Sequence, residues 1–371
     1  MRRSPAPDLA TLRPALEAVL RTEDMPGIAL AVALGAEPAQ TLCVGCDAVG
    51  HELAPEDLFP VASVTKLATA LAVLRLVEAG RLALDDSLAR HLPEAAAAHP
   101  GVTLRALLSH TAGLPPDLPD GAAPYRRDLT WRALATACLR VPLEREPGTY
   151  VQYSNLGPGL LAVIVERQTG QDFAAALAHL VLDPLGIEGY LGAEPPRAPV
   201  VIGGMESAHT GTELETFNSA FWRALALPWG GLVTTLTGAL ALVQAFAGRA
   251  GSVLEPEICA EATRDQTGGL PGGMIPPLIW DQCPWGLGPQ LRGTTMPHFA
   301  PRGAAPHSYG HGGASGCVAW LDPTANVAWM LHGARVIETG WIVRSCPRIG
   351  EALLAWAQAE LAKTAMHRDP V

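Results

Sequence analysis

The stretch Phe59-Pro60-Val61-Ala62-Ser63-Val64-Thr65-Lys66-Leu67-Ala68 decides how this chain is read. An apolar lead-in meets a serine and then a long helical pattern. Leu67, Ala70, Leu71, Leu74 and Val77 recur at helical spacing until Gly80 stops them. Ser63 therefore stands at a helix start, with Lys66 one turn on and on the same face. A hydroxyl there feels the positive end of the helix dipole. A neighbouring amine, desolvated enough to be neutral, can take its proton. Of the 26 Lys plus Arg residues only Lys66 and Lys363 are lysines, and lysine, unlike arginine, can give up its proton when buried. With 11 serines in 371 residues, Ser-x-x-Lys is expected by chance only about 0.06 times. The structural alternative is a serine N-cap followed by a solvated lysine.

Working outward, residues 9–22 predict an amphipathic helix with Pro14 in its first turn or marking a late start. Residues 27–34 (Gly-Ile-Ala-Leu-Ala-Val-Ala-Leu) predict a buried strand, with 40–44 as its hairpin partner. Beyond the Ser63 helix the pattern is mostly helical as far as about residue 200, with helices expected over 82–92, 104–110, 129–139, 155–169 and 173–182. Residues 190–218 are irregular, 236–246 are helical, and 251–307 are long Pro/Gly loops with short strands. A strand pair follows at 316–322 and 327–332, and a closing amphipathic helix at 348–361. Terminal helices around a meander of strands, with helices inserted between, predict a mixed α and β fold built on an antiparallel sheet.

Three further runs carry chemistry. In Tyr153-Ser154-Asn155 the phenol and the carboxamide are two apart, so an extended backbone puts both on one side. A phenol beside a lysine can be held ionised or can share a proton, and the carboxamide offers a donor and an acceptor to a substrate amide. The alternative is a buried tyrosine beside an N-cap asparagine. Gly310-His311-Gly312-Gly313-Ala314-Ser315-Gly316 opens a strand; its glycines let a substrate lie against the backbone. The Ala314 N–H could pair with the Ser63 N–H as an oxyanion hole. His311 could supply a proton or hydrogen bond, or be structural. Pro228-Trp-Gly-Gly-Leu232 and Trp285-Gly-Leu-Gly288 read as tight turns. No Gly-x-Ser-x-Gly elbow, His-Glu-x-x-His or Walker loop is present.

Composition narrows the function. The chain is 49% apolar and 17% charged, enough for a large core. A net charge of −10 without any Lys/Arg run speaks against nucleic acid and anionic membrane surfaces. The cysteines, at 43, 46, 138, 259, 283, 317 and 346, suggest no disulfide framework and fit a reducing compartment. Cys43-Val-Gly-Cys46 lacks a second ligand pair at zinc spacing. The first residues have no apolar core of a signal peptide, and no run approaches the ~18 apolar residues that span a bilayer, so a cytoplasmic protein is expected.

The order Ser63-x-x-Lys66, Leu107-Leu-Ser-His-Thr-Ala-Gly-Leu-Pro115, Pro147-Gly, Tyr153-Ser-Asn155, Pro184-Leu-Gly186, Gly230-Gly-Leu232, Trp285-Gly-Leu-Gly288 and His311-Gly-Gly313 resembles the serine β-lactamase and penicillin-binding-protein superfamily. The Tyr-x-Asn form points to its branch of class C β-lactamases and their esterase and D-peptidase relatives. The likeness spans roughly residues 10–335. It implies an α+β fold of the β-lactamase/transpeptidase type: an antiparallel sheet covered by N- and C-terminal helices, with an inserted all-helical subdomain. Residues 1–371 would be one catalytic unit, α/β over about 8–80 and 225–365 and helical over about 81–224. It implies two-step acyl transfer. Ser63 would attack a carbonyl, Lys66 and Tyr153 would move protons, and the Ser63 and Ala314 amides would hold the oxyanion. Asn155, with His311, Gly313 and Ala314, would bind substrate. No metal or organic cofactor is implied. Where the β-lactamases of this branch have Lys-Thr-Gly, this chain has His311-Gly312-Gly313, which removes a charge that holds a substrate carboxylate. Gly238 stands where the family often has Asp. The expectation is a hydrolase of small esters or amides, peptides included. The alternatives are a β-lactamase or a non-catalytic binding protein.

Overall fold

The computed structural model describes residues 8–249 and 252–368; the N-terminal run read for a leader lies largely outside them. Its centre is a six-stranded antiparallel sheet. The strands are β1 (Gly27–Leu34), β2 (Gln40–Gly45), β3 (Gln290–Leu291), β4 (Tyr309–Gly313), β5 (Cys317–Asp322) and β6 (Val327–Gly333), in the order β2-β1-β6-β5-β4-β3. β1 pairs with β6 through Leu30 opposite Leu331, and β5 with β6 through Trp320 opposite Trp329.

The small–large alternation of residues 27–34 explains how the sheet is covered. Successive strand residues point to opposite faces. Ala29, Ala31 and Ala33 of β1, with Ala319 and Ala328, look into one core. Ile28, Leu30 and Val32, with Val318, Trp320, Trp329 and Leu331, look into another. The alanine face admits helix α4 (Leu236–Gln244), which lies across β1, β5 and β6. The bulky face is covered by the ends of the chain: α1 (Arg13–Glu23) through Leu16 and Val19, and α5 (Cys346–Arg368) through Ile349, Leu353 and Ala357. Trp356 Nε1 reaches back to the Asp8 carbonyl at 3.1 Å.

Two helices lie within the larger core. Every residue of α2 (Thr65–Glu78) from Thr65 to Leu74 is buried, as is every residue of α3 (Leu156–Thr169) from Leu156 to Val165. A helix apolar on all sides belongs inside. Gly170, left-handed at φ 72°, ends α3 as expected. No helix among the described residues is long and apolar enough to cross a membrane.

Several elements differ from the sequence reading. Of residues 82–92 only Leu88–His91 is helical. The Asp86 carboxylate takes the Ala83 N–H at 3.0 Å, and Leu88 N bonds Val102 O at 2.8 Å, so the start of this segment is a turn tied to the next one. The loop region holds an unforeseen helix, Pro256–Ala262, begun by a proline at its first turn. The His-Gly-Gly run does not open a strand; it lies within β4.

Candidate active site

Ser63 sits in a tight 3₁₀ turn, Ala62–Val64, that runs into α2. Its delivery is built by residues 228–234, which the sequence showed only as turns. Phe59 pairs with Thr234, and Val61 N bonds Leu232 O at 3.0 Å. Thr65 Oγ1 accepts from Leu232 N at 3.1 Å, and Thr69 Oγ1 donates to Pro228 O at 2.6 Å. On the other side lies the end of β4. A Cβ on Gly313 would stand 2.5 Å from both Val61 O and Cys317 Sγ, so only glycine fits here. That close approach puts Ala314, half-buried, beside the turn that carries Ser63.

Lys66 is 3% exposed, which excludes the solvated lysine of the structural alternative. Its Nζ lies 3.1 Å from Ser63 Oγ, 2.8 Å from Asn155 Oδ1 and 2.9 Å from Trp229 O, and 4.7 Å from the centre of the Tyr153 ring. Two of these partners can only accept; the hydroxyl can also donate. The set suits an ammonium that donates to all three, and equally an amine that gives two N–H bonds and receives the Ser63 proton on its lone pair. Burial pulls the Lys66 pKa well below its ordinary value, and the Asp117 carboxylate opposes that pull.

The Tyr153 hydroxyl is buried and, among the described residues, meets no partner in good hydrogen-bond geometry. Burial pushes its pKa up, the nearby Ser63 hydroxyl opposes the rise, and the charge of Asp117 adds to it. Of the two states the sequence allowed, burial thus favours a phenol that keeps its proton and shares it over one that is held ionised. Asn155 corrects an expectation. Its backbone is helical, at φ −80° and ψ −23°, and its side chain does not cap α3. Ser154 Oγ takes the Leu156 N–H instead, at 3.1 Å. The Asn155 carboxamide is free to bridge Lys66 and Asp117, donating to Asp117 Oδ2 at 3.1 Å.

His311 is 1% exposed, and its Nδ1 lies 2.6 Å from Gly312 O. Burial first, and then Lys66, pull its pKa down to about 3, with the Gly312 bond opposing. A neutral imidazole does not replace the lysine charge of the β-lactamase motif. Nε2 is without a hydrogen-bond partner among the described residues, and the ring lies 5.8 Å from Tyr153 and 5.9 Å from Trp285. Sequence reasoning missed Asp117, the Trp229 carbonyl and any role for His110. A backbone acceptor leaves no mark in a side-chain pattern, and Asp117 reads as one more loop residue in Pro115-Pro-Asp-Leu118. Among the described residues no group of three or more His, Cys, Asp or Glu is placed to hold a metal ion.

A model of the Beta-lactamase family matches residues 12–336. The chain belongs to the beta-lactamase family. Within it, the chain is 43% identical to esterase EstB of Burkholderia gladioli over 173 residues, 41% of this chain and 43% of that protein. It is 33% identical to penicillin-binding protein 4 of Amycolatopsis lactamdurans over 207 residues, 49% of this chain and 54% of that one. The chain thus spans about half or less of the length of these curated relatives. Among solved structures, a penicillin-binding protein homologue from Caulobacter crescentus superposes with a TM-score of 0.72 at 24% identity, covering 94% of this chain and 99% of that one. The fold is that of the family, an antiparallel sheet with helices in an α+β arrangement.

Proposed function

We propose that this chain is a serine hydrolase that cleaves a small ester or amide through an acyl-enzyme. The observation that carries this reading is the Lys66 amine, buried, its pKa pulled well below the ordinary value, 3.1 Å from Ser63 Oγ and bonded to Asn155 Oδ1 and Trp229 O. Ser63 Oγ attacks the carbonyl carbon while its proton passes to Lys66 Nζ. The carbonyl oxygen becomes an oxyanion held by the Ser63 and Ala314 amides. The proton then passes by way of the Tyr153 hydroxyl to the leaving oxygen or nitrogen as its bond to carbon breaks. In the second half, water gives a proton to the same pair, adds to the acyl carbon, and Ser63 Oγ leaves with a proton restored. Asn155, fixed by Lys66 and Asp117, orients the substrate. Gly313 and Ala314 offer it their backbone, and neutral His311 an acceptor at Nε2.

The likeness to an esterase and to a penicillin-binding protein supports ester and amide substrates. Opening of β-lactam rings is the second reading, supported by the family match. The neutral His311 favours substrates without the carboxylate of those antibiotics. The seven free thiols support a reducing, cytoplasmic setting. The test is a panel of p-nitrophenyl esters, D-amino-acid amides and nitrocefin, with a fluorophosphonate probe. Turnover should fall roughly 10⁴-fold or more in Ser63→Ala, and the probe adduct should vanish. An adduct that survives Ser63→Ala overturns the reading.

A further inference from the structure

His110 belongs to the run Leu107-Leu-Ser-His-Thr-Ala-Gly-Leu-Pro115 and takes no direct part in the chemistry above. It is 5% exposed, and its backbone is left-handed, at φ 57°. For a residue with a side chain that conformation costs about 1 kcal/mol or more, and such strain gathers at functional sites. Here it brings two acceptors of one residue onto one short segment. The His110 carbonyl takes the Gln152 N–H at 2.8 Å, and His110 Nδ1 takes the Ser154 N–H at 3.2 Å. These are the two residues that flank Tyr153. The Tyr153 N–H is held from another segment, by Gly273 O at 3.0 Å.

The imidazole also packs on the ring it brackets. Its centre is 4.7 Å from the Tyr153 ring and 4.8 Å from Trp285, which it meets edge-on. Trp285 is fully buried and tied through Nε1 to Gly288 O at 3.1 Å. Tyr153 is thus gripped through its backbone neighbours and against its ring, while its hydroxyl meets no partner in good geometry among the described residues. With only the Ser63 hydroxyl near its tip and no well-formed bond there, the phenol is placed mainly by what holds its base.

We propose that His110 is a positioning residue for Tyr153, its Nδ1 acceptor and left-handed backbone fixing where the phenol stands relative to Ser63. This rests on the reading of Tyr153 as a proton carrier. The acceptor must be unprotonated, so the ring is neutral with its hydrogen on Nε2. Burial first, and then Lys66 and His311, hold the His110 pKa well below its ordinary value. Tyr153 and Trp285 add no charge on the packed side.

Two variants separate the acceptor from the ring. His110→Asn keeps an acceptor on Cγ, where Nδ1 is, and asparagine tolerates the left-handed backbone. His110→Phe keeps a ring and removes the acceptor. With a p-nitrophenyl ester, His110→Phe should lower kcat about 10²-fold, the scale of a misplaced group, and leave KM within about twofold. His110→Asn should stay within about fivefold of wild type in kcat. In a Tyr153→Phe background His110→Phe should cost nothing further, because residues acting through one group are not additive. Three outcomes overturn the proposal: an unchanged kcat in folded His110→Phe, the full loss repeated in the Tyr153→Phe background, or a folded His110→Asn as slow as Tyr153→Phe. The last holds even if the phenylalanine variant fails to fold. A wild-type chain that forms no Ser63 adduct overturns the hydrolase reading along with this one; a normal adduct with any of the three outcomes overturns this one alone.

Discussion

The two faces of the central sheet are made from the same strands and do different work. The bulky face, with Trp320, Trp329, Leu30 and Leu331, is closed by α1 and α5 from the ends of the chain. The alanine face lets helices come close and forms one core with the elements that deliver Ser63, Lys66 and Asn155, while Tyr153 packs against the core of the bulky face. Small side chains there bring neighbouring helices near enough for Lys66 to be surrounded by residues from three separate segments. One face contributes stability through area; the other contributes geometry at the cost of burying polar groups.

The difference can be broken from either side. The largest effect is expected from Lys66→Met, which fills similar space without a base: kcat on an ester should fall about 10³-fold, checked against active sites counted by the acyl probe. The same variant should change the stability profile. The folded Lys66 pKa lies below its unfolded value, so the unfolded chain binds more protons over the interval between them. That contribution to stability is complete above about pH 10.4 and is lost as pH falls toward the lowered value. Denaturant titrations of Lys66→Met across this window should lack that slope.

On the bulky face, Trp320→Ala should cost about 3–5 kcal/mol of stability and leave the turnover of each folded molecule near wild type. Ala31→Leu on the alanine face should cost less, about 1–3 kcal/mol, yet depress turnover as well, because α4 and α2 must move. Paired urea unfolding and active-site titration check both. The smallest effect should follow Asp117→Asn. Its carboxylate raises the Lys66 pKa, so its loss should move the acid limb of the rate profile to lower pH. The displacement should shrink in high salt, since Asp117 is exposed to solvent.

Much of this was legible beforehand, for physical reasons that can be named. Residues 27–34 and 156–169 are apolar runs bounded by turns or glycine, and such runs can only be buried. Ser63 and Lys66 stood out because a chain rich in arginine placed a lysine one turn from a serine. Elements governed by side-chain bonds to distant backbone were not legible. The helix expected over 82–92 fails because Asp86 and Ser87 bond their surroundings in place of the helix ladder. The lowered pKa of Lys66 and the raised pKa of Tyr153 follow from burial by segments far apart in sequence, and so does the grip of His110 on residues 152 and 154. No local pattern carries either.

The pairing of β1 with β6 has a consequence for synthesis on the ribosome. The strand at 27–34 emerges long before the strand that lies beside it, at 327–333. Its bulky side chains then wait for the final helix at 346–368 to cover them. A hairpin of two strands is marginal in water by itself. The nascent chain therefore carries an unfinished, apolar first hairpin until residues 327–368 have been made, and its helical middle can gain structure long before the sheet closes around the site.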